Sequence, residues 1–145
     1  MYLPRNIWFV LVVIMISSCS TETLDVTSPT GKLGVTVKPM EGKAYDKITF
    51  SVNYDGKTIL SQTELGLETD VQKFYGNLKL KSVSKAKRIV DDYKMITGKR
   101  SHCINEAFER TYSFENQEGN ALDITFRVYD NGVVFRYEIN TIADK

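Results

Sequence analysis

Apolar and polar residues alternate with a period of two along most of this chain. Leu33, Val35 and Val37 alternate with Gly34, Thr36 and Lys38, and Ile48, Phe50, Val52 and Tyr54 alternate with Thr49, Ser51 and Asn53. A strand sends successive side chains to opposite faces, so each segment predicts a strand with one buried face. Asp55-Gly56 separates Tyr54 from Thr58-Ile59-Leu60, and that pair tolerates the positive φ that closes a tight hairpin. Residues 33–60 therefore predict an antiparallel meander. Leu65 and Leu67 flank Gly66 in a short strand, and Leu78 with Leu80 marks another. The charged stretch from Ser84 to Asp92 is left open between a surface loop, a helical turn and a strand end.

The alternation is clearest in the last third. Leu122, Ile124, Phe126 and Val128 share one parity, and after Asp130-Asn131-Gly132 so do Val133, Phe135, Tyr137 and Ile139. This is a second hairpin, with Gly132 expected in a left-handed turn conformation. Phe108, Tyr112 and Phe114 share parity with Ile104, which predicts a strand over residues 104–114 although Glu-Ala-Phe-Glu-Arg favours a helix. Propensity is the weaker signal where tertiary pairing competes with it. About eight strands with no internal repeat and no interdomain linker predict an all-β, antiparallel β-sandwich.

The first residues follow a different pattern. Arg5 precedes an unbroken apolar run from Ile7 to Ile16, and Ser17-Ser18 stand before Cys19. The run is shorter than the roughly 20 apolar residues that span a bilayer, and it predicts a signal peptide. An apolar residue, two small ones and a cysteine resemble the lipobox of bacterial lipoproteins, which assigns Cys19 as the lipid attachment site. An ordinary secretory signal with a chance cysteine is the alternative. Two or more acyl chains anchor a protein stably where one does not. Residues 1–19 are thus a signal peptide with its lipobox, residues 20–27 a short tether, and residues 28–145 a partial sandwich.

Charge narrows the choice of partners. Lys and Arg number 19 and Asp and Glu 18; Arg5 is the only charged side chain of the leader, so 18 of each sign remain after it. That balance argues against nucleic acid, which needs a basic excess. With Cys19 lipidated, Cys103 stands alone, which excludes a disulfide framework and fits a small buried side chain. His102, the only histidine, is adjacent to Cys103, and neighbours on a strand point to opposite faces. There is no metal-binding helix motif, phosphate loop, nucleophile elbow or dinucleotide fingerprint. Asp91, Asp92, Glu106 and Glu109 are carboxylates expected on solvated surface. Tyr75, Tyr93 and Tyr129 are candidate platforms for a sugar ring, set against the common use of tyrosine as a sheet former.

An ordered set of short motifs adds a family resemblance. Ser28-Pro29-Thr30-Gly31-Lys32, Tyr54-Asp55-Gly56-Lys57, Leu65-Gly66-Leu67, Gly98-Lys99-Arg100-Ser101 and the run from Phe126 to Tyr137 together resemble the N-terminal domain of glycoside hydrolase family 97. The resemblance covers essentially all of the chain after the leader. It implies an exported bacterial α-glucosidase or α-galactosidase, in which a sandwich of the galactose-mutarotase type precedes a calcium-dependent (β/α)8 catalytic barrel.

It also implies that the sandwich continues beyond the position of Tyr137 and that the catalytic carboxylates and calcium ligands lie further on. No catalytic or metal residue is therefore assigned to this chain, and no cofactor is expected in it. The ending at Lys145, six residues past Ile139, predicts a fragment or accessory module, incomplete at its C-terminus. The functional expectation is a carbohydrate-associated, non-catalytic domain, with Tyr93, Arg100 and Tyr129 as its sugar-contact residues. Its expected partners are an α-linked oligosaccharide or the missing barrel, at a membrane facing the periplasm or the cell surface. The alternative is a free-standing lipoprotein interaction module. If the chain is truncated and later strands normally pair with residues 133–139, that segment is expected to expose an apolar edge and a poorly covered sheet face, which favour marginal stability or self-association.

Overall fold

A computed structural model describes residues 24–39, 47–99 and 101–140. The leader, Cys19 and Arg100 lie outside the described residues. Eleven strands are present among those described: β1 (Asp25–Thr27), β2 (Leu33–Pro39), β3 (Ile48–Tyr54), β4 (Lys57–Leu65), β5 (Leu67–Glu68), β6 (Lys73–Phe74), β7 (Lys79–Val83), β8 (Lys87–Lys94), β9 (His102–Glu115), β10 (Ala121–Tyr129) and β11 (Gly132–Asn140). The fold is all-β and antiparallel, with its two larger sheets packed together as expected.

One sheet runs β1-β2-β3-β4. Its register places Val35 opposite Val52 and Val37 opposite Phe50, so the alternating residues of both strands share one buried face. Asp55 (φ 48°) and Gly56 (φ 76°) both take positive φ, the pattern of a two-residue turn that matches the twist of its strands. The pairing of β3 with β4 then slips twice, between Phe50 and Val52 and again between Val52 and Asn53. These bulges break the alternation of β4, and Ile59 and Leu60 are left exposed.

The second sheet runs β11-β10-β9-β7, with β8 also on β9. Strand β9 is 14 residues long because it serves two neighbours on one edge. Its C-terminal part pairs with β7 and its N-terminal part with β8. Ser84 bridges the join: its amide donates to Thr111 O (2.9 Å), while its Oγ accepts from the Thr111 amide (2.9 Å). Strand β10 reaches only as far as Ala107, so His102–Glu106 and their β8 partners form a two-stranded extension. Ile104 is exposed there although its parity is apolar.

Aromatic rings join the sheets. Phe50 of β3 lies 5.4 Å from Phe126 of β10 and 5.6 Å from Phe135 of β11, centroid to centroid. Tyr112 meets Phe126 edge-on at 5.9 Å, and its hydroxyl donates to Leu24 O at 2.6 Å, tying β9 to the residue before β1. Burial raises the Tyr112 hydroxyl well above the ordinary tyrosine pKa. A raised pKa favours the neutral form in the folded chain. Its stabilisation is therefore complete below the unfolded value near 10 and is lost as pH rises through the folded value. Chemical denaturation between about pH 9 and 11 should show falling stability, and Tyr112→Phe should flatten that slope.

Several sequence expectations need correction. The tether drawn over residues 20–27 is too long, because Asp25–Thr27 form β1 and Val26 is buried. Three residues are too few for a period to be read. The undecided stretch from Ser84 to Asp92 contains most of β8. Gly66 does not sit inside a strand but separates β4 from β5. Gly132 has no positive φ; Asp130-Asn131 make the turn, and Gly132 begins β11. Cys103 is half-buried rather than buried, since it lies on the two-stranded extension.

Candidate functional site

The outer face of the five-stranded sheet carries the candidate site. Opposite Leu122, Ile124, Phe126 and Val128, strand β10 turns Thr125, Arg127 and Tyr129 away from the core. The register sets Thr125 across from Thr111 and Arg127 across from Glu109. The two threonine hydroxyls bond at 2.9 Å, and Arg127 Nε donates to Glu109 Oε2. Tyr129 reaches past its own partner Ala107 to β8, where its hydroxyl donates to Asp91 Oδ2 at 2.7 Å. Arg127 Nη1 lies 3.8 Å from the other Asp91 oxygen. Three strands thus contribute one chain of polar contacts, Glu109 to Arg127 to Asp91 to Tyr129.

This network has a definite protonation pattern. The Glu109 hydrogen bond holds the Arg127 guanidinium above its usual pKa, so the cation is fixed. The Tyr129 hydroxyl is raised first by its bond to Asp91 and then by burial, so it remains a neutral donor. Glu109 is the least exposed carboxylate of the network, its side chain 19 % exposed, and is not the freely solvated group expected from sequence. Arg127 lies between the two acids, so neither stands free as a general acid or base. Removing the cation would leave Glu109 without its counter-ion and Asp91 with only the Tyr129 hydroxyl bond.

Two shallow depressions adjoin Tyr129. One, of about 190 Å³, is lined by Thr125, Arg127, Tyr129, Val134, Phe135 and Arg136. The other, of about 350 Å³, lies towards Ile104, Asn105 and Glu106. Tyr93 sits two residues beyond Asp91 on β8, hence on the same face, and is 46 % exposed. The structure therefore brings two of the three sequence-derived sugar candidates to one surface and, among the described residues, engages the hydroxyl of only one. Tyr75 stands apart, with Lys73 Nζ 5.9 Å from its ring centroid.

The glycosyl-hydrolase 97 N-terminal family model matches residues 26–145. The chain belongs to that family. The domain is 35 % identical to the corresponding part of a crystal structure of a β-arabinopyranosidase, with a TM-score of 0.75 over 82 % of this chain and 18 % of that one. A family 97 enzyme from Pseudoalteromonas sp. strain K8, solved with acarbose, shares the fold at a TM-score of 0.72 and 23 % identity over the same shares. A probable retaining α-galactosidase of Streptomyces bingchenggensis (strain BCW-1) is 25 % identical over 116 residues, which are 80 % of this chain and 18 % of that protein. The chain thus spans about a fifth of the length of the relatives it matches.

As a family 97 N-terminal domain, the chain can be tested for the calcium that the sequence resemblance attaches to full-length enzymes. Among the described residues no group of three or more His, Cys, Asp and Glu side chains is arranged to hold a metal ion. Asp91 and Glu109 approach each other through Arg127, whose charge opposes a cation. The outer-face network does not fit a calcium site. The Arg127 network is also what sequence reasoning missed. Its one sequence signal was the opposite charge of Glu109 and Arg127, both at non-core parity, and it needed the β9–β10 register to become a contact.

Proposed function

We propose that this chain is the carbohydrate-associated, non-catalytic N-terminal domain of an exported α-glycosidase of family 97. It would be anchored through Cys19 to a membrane facing the periplasm or the cell surface. The observation carrying this reading is the family match over residues 26–145, joined to a tyrosine-bearing outer face with a fixed hydrogen-bonding network. An exposed ring at Tyr93 suits the apolar C–H face of a pyranose, and the Asp91–Tyr129–Arg127 cluster beside it offers bonds to hydroxyls. The relatives include a probable retaining α-galactosidase and a family 97 enzyme solved with panose and with acarbose, which support an α-linked oligosaccharide as the ligand class.

The test is a calorimetric titration of the full chain in detergent with panose. Saturable binding is expected, weakened about fivefold by Tyr93→Ala, the loss expected of one aromatic contact. The same preparation should release no product from an aryl α-glucoside. Absence of saturable binding, or binding indifferent to Tyr93, would remove the sugar role and favour the free-standing interaction module. One observation supports that second reading: the exposed apolar residues Tyr54, Ile59 and Leu60 line a cleft of about 560 Å³ that ends at Val133 of β11.

A further inference from the structure

The chain enters the sandwich at one side. Leu24, the residue before β1, is tied to both sheets: the Val37 amide of β2 donates to Leu24 O at 3.3 Å, and the Tyr112 hydroxyl of β9 donates to the same oxygen at 2.6 Å. Arg110 closes this side, with Nη1 donating to Asp25 O and Nε to Ser84 O. The start of β1 therefore lies against the join between β7 and β8. The β4 and β11 edges lie across the sandwich from it, since Phe50 of β3 already meets Phe135 of β11.

Cations gather at that entry. Lys38 follows Val37 on β2, Lys85 follows Ser84 at the join, and Lys87 opens β8. All three are exposed, and none has an ion-pair partner among the described residues. Glu109, opposite Lys87, is engaged by Arg127, and Glu115 is engaged by Lys81. That leaves Asp25 on this side against three lysines. Lysines along β7 and β8 also disfavour pairing with a further strand, so this edge is suited to solvent or to a charged surface.

The length of the tether says which surface that is. Four residues, Ser20 to Thr23, separate Leu24 from Cys19. Five Cα steps reach about 17 Å at most, so an acylated Cys19 holds the entry side next to the membrane. We propose that this side docks on anionic phospholipid headgroups, with Lys38, Lys85 and Lys87 as the contacting side chains. The inference rests on the Cys19 anchor of the function proposed above. Attraction of a lysine to an anionic surface fades within a Debye length, about 8 Å at physiological salt, and the short tether brings the lysines into that range. Because they come from both sheets, their contact sets how the sandwich stands on the membrane, and it turns the β4 and β11 edges away from it.

The test acetylates lysines of the full chain with an uncharged, water-soluble reagent and reads each site by peptide mass spectrometry. It compares vesicles of phosphatidylcholine with vesicles of phosphatidylcholine and phosphatidylglycerol in equal parts. Lys38, Lys85 and Lys87 should react about fivefold more slowly on the anionic vesicles. Lys57, exposed beside the β3–β4 turn, should react equally on both. Salt of about 1 M, where the Debye length is about 3 Å, should remove the difference. The double variant Lys38→Glu, Lys85→Glu should lose the protection of Lys87 and still sediment with the vesicles through its acyl chains. Equal labelling on the two kinds of vesicle, with Cys19 acylated in the same spectra, overturns the docking and leaves the anchor standing. Protection of Lys57 as strong as that of Lys85 also overturns it, since the contact would then have no side. An unmodified Cys19 removes the anchor and the docking together.

Discussion

Phe126→Ala is expected to remove about 3–5 kcal/mol of stability, the usual cost of truncating a buried phenylalanine. Phe126 is fully buried, and its ring lies 5.4 Å from Phe50, 5.9 Å from Tyr112 and 5.5 Å from Phe135. Those partners come from three other strands, β3, β9 and β11, so the ring joins both sheets near the middle of the sandwich. An alanine there leaves a cavity that strands fixed by their hydrogen-bond ladders cannot collapse to fill. Small domains hold only about 5–15 kcal/mol in total, so the variant should unfold at much lower urea concentration, followed by far-ultraviolet circular dichroism. A loss near 1 kcal/mol would mean that the two sheets do not close on this ring.

The parts of the fold legible in the sequence are those whose period is long enough to be counted. β2, β3, β10 and β11 each show at least three alternating apolar residues, and the core lies on the parity they predict. β9 was readable against its local helix preference because Phe108, Tyr112 and Phe114 share one parity. The break in that parity at Arg110 has a structural reason. Its guanidinium reaches the rim, where Nε donates to Ser84 O at 2.9 Å and Nη1 to Asp25 O at 2.8 Å. β8 was not readable because most of it, Val90 to Lys94, lies on the two-stranded extension, where no core imposes alternation. The two bulges of β4 erase its pattern in the same way, since each added residue flips the faces that follow.

The candidate site was partly legible for a related reason. Tyr93 and Tyr129 could be named as candidates from residue type, and Tyr129 also from its parity opposite Phe126. Their shared face required the β8–β9 register, a pairing between segments that sequence periodicity alone does not align. The contact of Tyr129 with Asp91 spans 38 residues and rests on that register. Arg127 has the same dependence on pairing, because its two acids come from different strands.

Gly66→Val is expected to destabilise the chain by about 1–3 kcal/mol, the range for forcing atoms into a packed site. A β-carbon at Gly66 would stand 3.0 Å from Tyr75 Cβ and 3.2 Å from Phe74 O. These are a main-chain oxygen and a side-chain root, neither of which can swing aside as a flexible side-chain tip would. The Gly66 amide also donates to the Tyr137 hydroxyl at 3.2 Å, so displacement there disturbs the link between the β4–β5 break and β11. Phe74, fully buried on β6, would be drawn with it, and amide exchange in residues 67–74 should accelerate more than in β10. Gly34 is the comparison, because its added β-carbon would meet Thr27 Cγ2 at an ordinary 3.6 Å. Gly34→Ala should change stability by less than about 0.5 kcal/mol or raise it, since a strand glycine carries an entropic cost that alanine relieves. Equal losses at the two positions would mean that the close approach of β6 to Gly66 does not set the cost. A loss at Gly66 alone would assign the Leu65-Gly66-Leu67 motif to backbone packing.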